Sequence, residues 1–522
     1  VGNNNNGNKP REQWGSRIGL ILAMAGNAIG LGNFLRFPVQ AADNGGGAFM
    51  IPYFISLILL GIPLMWVEWG LGRYGGMRGH GTAPGVFDAV WKHPIAKYMG
   101  ILGIFLPLVV LVYYTYICSW TLAYSALSLL HQFPAADALS AAASPQEYLT
   151  PYANYLGAYI GDTGNALYLN PPKIAYAFFF VTLILSMYIL WKGISGGIEK
   201  FCNIALPAIF VIGAVLFVRV VTLESPTDPT MTASKAFSFL WEPDFSGILN
   251  PKVWLAAAGQ IFFTLSLGMG AIITYASYVK KDEDIVMDGI ATAGLNEFAE
   301  VIYGSTIAIG AAVIFFGFAG AKVAAAGAFK LGFISMPAIF THMPAGDYFG
   351  CLWFFLLFLA GLTSVVALAQ PAVAFLEDEL GFSRHKAVIT LGIFFAVSVL
   401  LPAFVKGSLD ELDFWAGTFG LVFLALFEVV LFFWIFGGEN AWEEVNRGAK
   451  IRIPGIFYYV IKYITPLFIL MILIGWGWQE LPGKFANKDA GVWAARVYLI
   501  ALLALHVVLV EVAWKRRRNK KS

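Results

Sequence analysis

The stretch Gly26-Asn27-Ala28-Ile29-Gly30-Leu31-Gly32-Asn33 interrupts the first long apolar segment of the chain. A second stretch, Phe263-Thr264-Leu265-Ser266-Leu267-Gly268-Met269-Gly270, interrupts a later one. Glycine disfavours the helix interior, so each stretch predicts a helix that is unwound in its middle. In hydrocarbon an unpaired backbone N–H or C=O group costs several kcal/mol, so unwound backbone at that depth is expected to line a polar cavity.

The composition places the chain in a membrane. Of its 522 residues, 58% are hydrophobic and 13% are charged, whereas soluble proteins carry about 25% charged residues. A membrane-spanning helix needs about 20 apolar residues. Twelve segments qualify, and they begin near residues 17, 47, 97, 173, 201, 252, 288, 347, 387, 413, 456 and 491. The expected fold class is therefore an all-α integral membrane bundle of twelve transmembrane helices.

The basic residues predict the orientation of this bundle. The long connection 131–172 contains no Lys or Arg, whereas Arg73 follows the second segment, Lys280 follows the sixth and Lys515–Arg518 follow the twelfth. By the positive-inside rule both termini are cytoplasmic, in a multi-pass protein of the cell (plasma or inner) membrane. The terminal basic cluster is interpreted as a topology anchor, in preference to a site for acidic lipid or nucleic acid.

Two interrupted segments at corresponding positions predict a 5+5 inverted repeat with broken helices 1 and 6, plus two peripheral helices. Such a pair of interruptions is also typical of the binding site of a transporter. The expected organisation is a disordered tail at 1–10 and a single membrane domain at 11–518, divided into a first repeat at 11–220, a second repeat at 251–436 and helices 11 and 12 at 453–514.

Residues 319–346 are rich in alanine and glycine. They resemble a helical hairpin that dips toward the cavity as a lid. An ordinary extracellular loop is the alternative.

Five blocks of sequence resemble, in order, the signatures of the neurotransmitter:sodium symporter family. They are Asn27–Pro38, Asp43–Phe49, Gln260–Gly268, Ala360–Ser364 and Trp415–Thr418. The resemblance runs from about Arg11 to Arg518 and is closest to bacterial amino-acid-transporting members. It implies a symporter with the broken-helix architecture.

The ends of a broken helix carry about half a unit of charge each, positive at the N-terminal end and negative at the C-terminal end. An α-amino acid is a zwitterion and suits such a pair of ends. The amides near Leu31 and Gly32, with the Tyr114 hydroxyl, would face its carboxylate. The resemblance assigns the following substrate-binding residues: Asn27, Ala28, Leu31, Gly32, Val110, Tyr114, Phe263, Thr264, Ser266, Met269, Ser364 and Leu368.

Gly30 bears on the class of substrate. Family members that carry monoamines have Asp at the matching position, so glycine implies a substrate that brings its own carboxylate. The expected pocket has no Asp, Glu, Lys or Arg for the side chain, which favours a neutral, hydrophobic amino acid. In the bacterial member that the chain resembles most, an aromatic residue matches Met269 and an isoleucine matches Leu368. Met269 and Leu368 either admit larger, aromatic side chains or fill the same volume and change nothing.

The resemblance also implies two sodium ions, which prefer hard oxygen ligands. The residues that would hold the first ion, together with the substrate carboxylate, are Ala28 (by its carbonyl), Asn33, Thr264 and Asn296. Those for the second are the carbonyls of Gly26, Ile29 and Ala360 and the hydroxyls of Thr363 and Ser364. The alternative for these two hydroxyls is a hydrogen bond back to their own helix.

Buried carboxyl groups in a membrane are expensive and point to function. The resemblance places Glu300 where chloride-dependent relatives carry a small polar residue, so its carboxylate would substitute for chloride. The alternative is a protonated or paired structural residue. Glu68 is expected to accept hydrogen bonds from the unwound backbone of spans 1 and 6. Glu428 receives no assigned role.

Two pairs of charges resemble the gates of the family: Arg36 with Asp413 outside, above the aromatic rings of Tyr114 and Phe263, and Arg11 with Asp378 inside. An exposed ion pair contributes only about 0–1 kcal/mol, which suits a gate that opens in each cycle.

The resulting hypothesis is a sodium-coupled symporter that imports neutral hydrophobic L-amino acids by alternating access, independently of chloride. The partners expected are the amino acid, sodium ions and the lipid bilayer, with no nucleic acid, and a homodimer through spans 9 and 12 is compatible with the resemblance. An amino-acid-binding sensor on the same scaffold is the alternative. A channel would need a continuous polar stripe, and an enzyme would need a nucleophile–base set that the sequence does not offer.

Overall fold

A computed structural model describes residues 12–134, 144–162, 164, 167–226 and 228–521. Within these residues the chain is helical, with one isolated bridge between Tyr168 and Val405. Two predictions, the tail at 1–10 and the gate residue Arg11, lie outside the described residues.

The helices are numbered here in chain order. They are α1 Arg17–Ala28, α2 Gly32–Asp43, α3 Gly47–Gly76, α4 Ala83–Val90, α5 Pro94–Leu129, α6 Pro145–Ile160, α7 Lys173–Trp191, α8 Ile194–Val221, α9 Ala233–Trp241, α10 Pro251–Thr264, α11 Ala271–Ala276, α12 Ile285–Ala324, α13 Ala328–Phe340, α14 Gly346–Asp378, α15 Arg384–Phe404, α16 Ser408–Ile435, α17 Gly438–Asn446, α18 Ile456–Ala486 and α19 Ala490–Asn519.

Ten of the described helices are long and apolar enough to cross a membrane, and the bent pair α1 and α2 makes an eleventh. The expected sixth span is broken, as predicted, and consists of α10 and α11, which have 14 and 6 residues. Neither piece alone has the length of a span, because the glycine-rich stretch between them is not helical. The protein is thus an all-helical, multi-pass bundle.

The centre of the bundle is formed by α5 and α14. In the most apolar 18-residue stretch of each helix, 78% of residues in α5 and 83% in α14 are buried inside the protein. The corresponding share is 33% in α8 and in α19. Small residues allow the two helices to approach closely: a Cβ atom added to Gly361 of α14 would lie 2.8 Å from the Cys118 sulfur of α5. The helices that surround this pair therefore include the lipid-facing ones.

Both predicted interruptions are present. The first separates α1 from α2, which meet at an angle of 47°, and Ile29 between them is extended, with φ −73° and ψ 104°. The second lies between α10 and α11, where Ser266, Gly268 and Gly270 have φ of 54°, 66° and 73°. The Gly268 N–H donates to Glu68 Oε1 at 2.7 Å, so the predicted role of Glu68 is confirmed for this second stretch.

Replacing Gly268 with alanine is expected to destabilise the protein by about 3 kcal/mol or more, since a left-handed residue with a Cβ costs about 1–2 kcal/mol before any clash. Its Cβ atom would lie 1.9 Å from the Leu421 carbonyl oxygen, which is backbone and has little freedom to move. The matched control is Gly294→Ala in the helical part of α12, where a Cβ meets nothing within 4 Å. Thermal unfolding of the detergent-purified variants measures both, and equal midpoints would contradict the expectation.

The segment 319–346 forms a hairpin rather than an ordinary loop. A break at Gly317, with φ 68°, separates the last turns of α12 from the rest of that helix, and α13 is the returning arm. The Ser335 hydroxyl donates to the Ala324 carbonyl at 2.9 Å and joins the two arms. From α6, the Tyr148 hydroxyl donates to the Ala338 carbonyl at 3.1 Å. The predicted helical hairpin is therefore confirmed.

Candidate substrate and cation site

The two unwound stretches meet at the centre of the bundle. The Ser266 hydroxyl of the second stretch donates to the Asn27 carbonyl of the first at 2.9 Å. The Leu31 N–H donates to the Tyr114 hydroxyl of α5 at 2.8 Å. A Cβ atom added to Gly32 would lie 2.5 Å from the Phe263 ring. Three distant parts of the chain thus converge on one point, and the glycine is needed for the close approach.

A small cavity lies at this point. Its lining comprises Asn27, Ala28, Gly30, Gly32, Asn33, Val110, Tyr114, Phe263, Thr264, Ser266, Met269, Ser364 and Leu368. Every predicted substrate residue except Leu31 is therefore here, and Leu31 lines the adjoining outer cavity. The volume is about 20 Å³, enough for about one water molecule, so an amino acid fits only when these side chains move apart.

The electrostatics of this cavity come from neutral groups. No Asp, Glu, Lys or Arg side chain is part of its lining. Both polar atoms of the Asn27 side chain are buried without a partner among the described residues. Unpaired buried amide groups are costly, and a polar ligand would offset that cost. The site can bind a zwitterion through amides, carbonyls and hydroxyls and leaves an apolar wall of Val110, Met269 and Leu368.

Beside the cavity the predicted first sodium residues form one cluster. The Asn33 Nδ2 group lies 3.0 Å from Thr264 Oγ1, 2.8 Å from Asn296 Oδ1 and 2.9 Å from Glu300 Oε2. Three oxygens thus surround a single donor. Asn33 Oδ1 accepts from the Gly30 N–H at 2.8 Å, so a half turn of the amide, which would direct this oxygen to the same point, has to break that bond. Three neutral oxygens and one carboxylate around one point suit a hard cation.

Glu300 is fully buried in this cluster and is paired with neutral donors. Its oxygens accept hydrogen bonds from Gln260 Nε2 at 3.0 Å, from the Tyr53 hydroxyl at 2.9 Å, and from the Thr264 hydroxyl. Within the described part of the chain, no Lys, Arg or His lies within 4.0 Å of it as an ion-pair partner. A salt bridge is therefore not formed by Glu300 in the described structure, its carboxyl group faces the cluster, and both its chloride-substituting role and its structural alternative stay predictions.

The predicted second sodium residues lie where α14 passes the end of α1. The Thr363 hydroxyl donates to the carbonyls of Leu359 at 3.2 Å and Ala360 at 2.9 Å. The Ser364 hydroxyl is 3.2 Å from the Ala360 carbonyl and 3.4 Å from the Gly26 carbonyl. Both hydroxyls thus bond to their own helix, as the alternative reading expected. The Gly26 and Ala360 carbonyls nevertheless both contact the Ser364 hydroxyl, so these three oxygens lie close together.

Comparisons with known proteins agree with this geometry. A model of the sodium:neurotransmitter symporter family matches residues 11–153 and 136–519. The chain belongs to this family. It is thus a multi-pass membrane transporter of the sodium-dependent kind.

Relatives of this symporter include an uncharacterised sodium-dependent transporter of Methanocaldococcus jannaschii, 30% identical over 89% of this chain and 90% of the relative. The sodium-dependent nutrient amino acid transporter 1 of Drosophila melanogaster is 27% identical over 89% of this chain and 77% of its own length. Among solved structures, that of MhsT in complex with L-phenylalanine matches with a TM-score of 0.74 and 28% identity, over 89% of this chain and 99% of that one.

In this symporter an outer cavity of about 390 Å³ lies above the central one, between the hairpin residue Phe329 and the gate residues Arg36 and Asp413. The predicted direct gate pair is not formed: among the described residues no ion pair within 4.0 Å joins the two charges. Instead the Tyr113 hydroxyl donates to Asp413 Oδ1 at 2.6 Å, and the Arg36 guanidinium lies 4.4 Å from the centre of the Phe263 ring. Arg36 and Asp413 thus both line the outer cavity and contact aromatic residues in place of each other.

On the opposite side, the start of the chain is held by buried contacts. The Trp14 indole N–H donates to the Tyr275 carbonyl of α11 at 3.0 Å. The Glu199 carboxylate of α8 accepts from the Gly15 N–H at 2.7 Å and from the Ser16 hydroxyl at 2.8 Å. These contacts fix the inner half of the first broken helix against α8 and α11.

The sequence predicted Arg11 and Asp378 as the inner gate, and Arg11 lies outside the described residues. Asp378 is at the end of α14. The described ion pair of this region is Arg17 with Asp288 of α12, at 2.7 Å. Asp288 and Glu199 were missed, because a carboxylate near a span end resembles an ordinary solvated charge when no partner is visible. These contacts join the start of the chain to α8, α11 and α12 on the side opposite the outer cavity.

Proposed function

We propose that the chain imports neutral, hydrophobic L-amino acids by alternating access, driven by sodium and independently of chloride. The observation that carries this proposal is the central cavity at the two helix breaks, which has Gly30 facing Tyr114 and no charged side chain in its lining. A substrate without a carboxylate would find no acidic side chain there to take the place of that group. The similarity to the nutrient amino acid transporter of the fly and to MhsT in complex with L-phenylalanine supports an amino acid as the substrate.

The proposed architecture has twelve spans, with α1 and α2 as the first and α10 and α11 as the sixth. Residues 11–220 and 251–436 form the inverted repeats, 453–514 the last two spans, and both termini are cytoplasmic. The two helix breaks, one in each half, support this arrangement. A homodimer through the ninth and twelfth spans, α15 and α19, stays a prediction.

In the proposed site the substrate carboxylate faces the Leu31 and Gly32 amides and the Tyr114 hydroxyl. Leu31 and Tyr114 bond to each other in this structure, so the carboxylate has to replace or share that bond. The ammonium group faces the carbonyls near Ala28 and Phe263. The side chain then lies against Val110, Met269 and Leu368, and the flexible methionine is the wall that yields to a larger ring.

Coupling would arise at the first cation site, which consists of the Ala28 carbonyl, Asn33, Thr264, Asn296 and the substrate carboxylate. Because the substrate completes the ion's ligands, each binds better in the presence of the other. Two sodium ions that move with a neutral zwitterion through 100 mV gain about 4.6 kcal/mol, at about 2.3 kcal/mol per charge. At about 1.4 kcal/mol per decade this supports an amino-acid gradient of about 10³-fold.

Equilibrium binding of labelled L-phenylalanine and L-leucine to the purified protein, in sodium or in potassium, tests the proposed site. Saturable binding that requires sodium is the expected result, together with weak binding of the amines that correspond to these amino acids without the carboxylate. Binding that is equal in potassium, or that favours the amines, would contradict the proposal.

Replacing Glu300 with serine is expected to make transport depend on chloride. The variant loses the negative charge beside the first cation site and keeps the Gln260 and Tyr53 donors, which can hold an anion. The measurement is uptake with chloride against gluconate. Glu297→Ser is the matched control. Glu297 contacts the same Tyr53 hydroxyl and accepts from Asn296 Nδ2, but it does not bond to Thr264. Equal rates for the Glu300 variant in both anions would contradict the expectation.

A further inference from the structure

An apolar groove of about 620 Å³ lies on the outside of the bundle, between α10, α18 and the segment before α10. Its lining is Leu59, Ile248, Leu249, Pro251, Trp254, Leu255, Tyr463, Ile464, Leu467, Phe468, Met471, Ile472, Gly475 and Gln479. Leu249, Leu467 and Met471 are 89%, 58% and 54% exposed. In a membrane-spanning chain such a surface faces acyl chains, and its concave form can hold them.

The groove continues into a second cavity of about 540 Å³, here called the polar cavity, because Leu255 and Gln479 line both. The polar cavity contains two cationic side chains, Arg36 and Lys252, and two anionic ones, Asp43 and Glu480. One site therefore has an apolar arm and a polar arm that meet at two shared residues.

The four charges of the polar cavity are arranged without direct pairing. In the described chain none of them forms an ion pair within 4.0 Å, and Arg36 Nη1 is a buried donor with no partner. Two positive and two negative groups around one space complement a ligand that has both a phosphate and an ammonium group. A primary ammonium would donate charge-assisted hydrogen bonds to the carboxylates, which a quaternary ammonium cannot do.

We propose that the groove and the polar cavity together bind one phospholipid with a zwitterionic headgroup that carries a primary ammonium, as phosphatidylethanolamine does. The acyl chains lie in the groove against Trp254, Leu467 and Met471. The phosphate faces Arg36 and Lys252, and the ammonium faces Asp43 and Glu480. This site depends on the membrane-spanning fold and not on which substrate is transported.

The position of this lipid gives it access to the transport machinery. The groove lies along α10, whose last residues, Phe263 and Thr264, line the central cavity. Arg36 lines both the polar cavity and the outer cavity. A lipid in the site therefore contacts the helix and the arginine that shape the outer entrance.

Native mass spectrometry of the full chain in detergent, titrated with palmitoyl-oleoyl phosphatidylethanolamine, phosphatidylcholine or phosphatidylglycerol, tests the proposal. We expect phosphatidylethanolamine to bind at least tenfold more tightly than the other two. Met471→Trp fills the groove and should weaken that binding at least tenfold. Ile474→Trp, on the same helix, 69% exposed and outside the groove, should change it less than twofold.

Two further variants protect the test from a folding defect. Leu249→Ser alters a groove residue that is 89% exposed. Lys252→Gln alters the polar cavity, and Lys488→Gln, at another exposed lysine, is its control. We expect Leu249→Ser to weaken phosphatidylethanolamine binding and Lys252→Gln to remove its preference over phosphatidylcholine, with sodium-dependent amino-acid binding retained as proof of folding. Equal binding of the three lipids, or groove variants without effect, would overturn the proposal. It would also be overturned if the groove proved to be a dimer interface, so that Met471→Trp dissociated a dimer and released no lipid.

Discussion

Replacing Gly30 with alanine is expected to weaken amino-acid binding at least about 100-fold, or about 2.8 kcal/mol. The added Cβ atom would lie 2.6 Å from the Tyr114 hydroxyl and 2.8 Å from the Ser364 hydroxyl, so both side chains have to move. That movement displaces the hydroxyl that the Leu31 N–H now donates to and that is proposed to bind the substrate carboxylate. Equilibrium binding of labelled L-phenylalanine in saturating sodium measures the effect.

The control for this experiment is Gly196→Ala, where a Cβ atom meets nothing within 4 Å. It should bind the amino acid as the unchanged protein does. The Gly30 variant should keep its thermal midpoint, because the two hydroxyls are ends of side chains and not backbone. Undiminished binding by the Gly30 variant would show that the substrate does not lie against the first helix break.

Replacing Thr264 with valine is expected to lower the apparent affinity for sodium about 10- to 100-fold, since a hydrogen bond or ligand to a charged group contributes about 1.5–3 kcal/mol. Valine keeps the shape of threonine and removes the oxygen that Asn33 and Asn296 now contact at 3.0 Å. Because the substrate completes the same ion site, the amino acid should bind correspondingly more weakly at a fixed sodium concentration. Titration of amino-acid binding with sodium measures both effects.

Thr274→Val is the matched control. Thr274 is also fully buried, on α11, and its hydroxyl has no hydrogen-bond partner in the described structure. Its replacement should therefore leave the sodium titration unchanged. If Thr264→Val also left the titration unchanged, the first cation site could not include this oxygen.

Local sequence was sufficient to predict the features that shape the bundle. The glycines at 26–33 and 263–270 predicted both helix breaks, because glycine adopts the left-handed backbone at Gly268 without steric cost and allows the close contact at Gly32. The alanine- and glycine-rich run at 319–346 predicted the hairpin. The break in the sixth span is visible in its glycines and not in its hydropathy, because the residues of the non-helical stretch are themselves apolar.

The candidate site was predictable at the level of its residues and not of its pairings. The motifs placed Thr264, Asn33 and Asn296 in one site, and the structure brings them together. The partners of Arg36 and Asp413 could not be predicted, because Tyr113 competes for the carboxylate through a contact 300 residues apart in the chain. Such choices depend on how the helices pack, which local sequence does not report.

The most direct test of sodium-coupled amino-acid import is uptake of labelled phenylalanine, leucine, methionine and tryptophan into proteoliposomes. An inward sodium gradient is compared with potassium, and chloride is compared with gluconate. We predict that sodium drives accumulation of neutral hydrophobic amino acids above their external concentration. The rate should be the same in both anions, and a sodium ionophore should abolish the accumulation. Saturable, sodium-dependent binding without accumulation would contradict import and would instead indicate a sensor on the transporter scaffold.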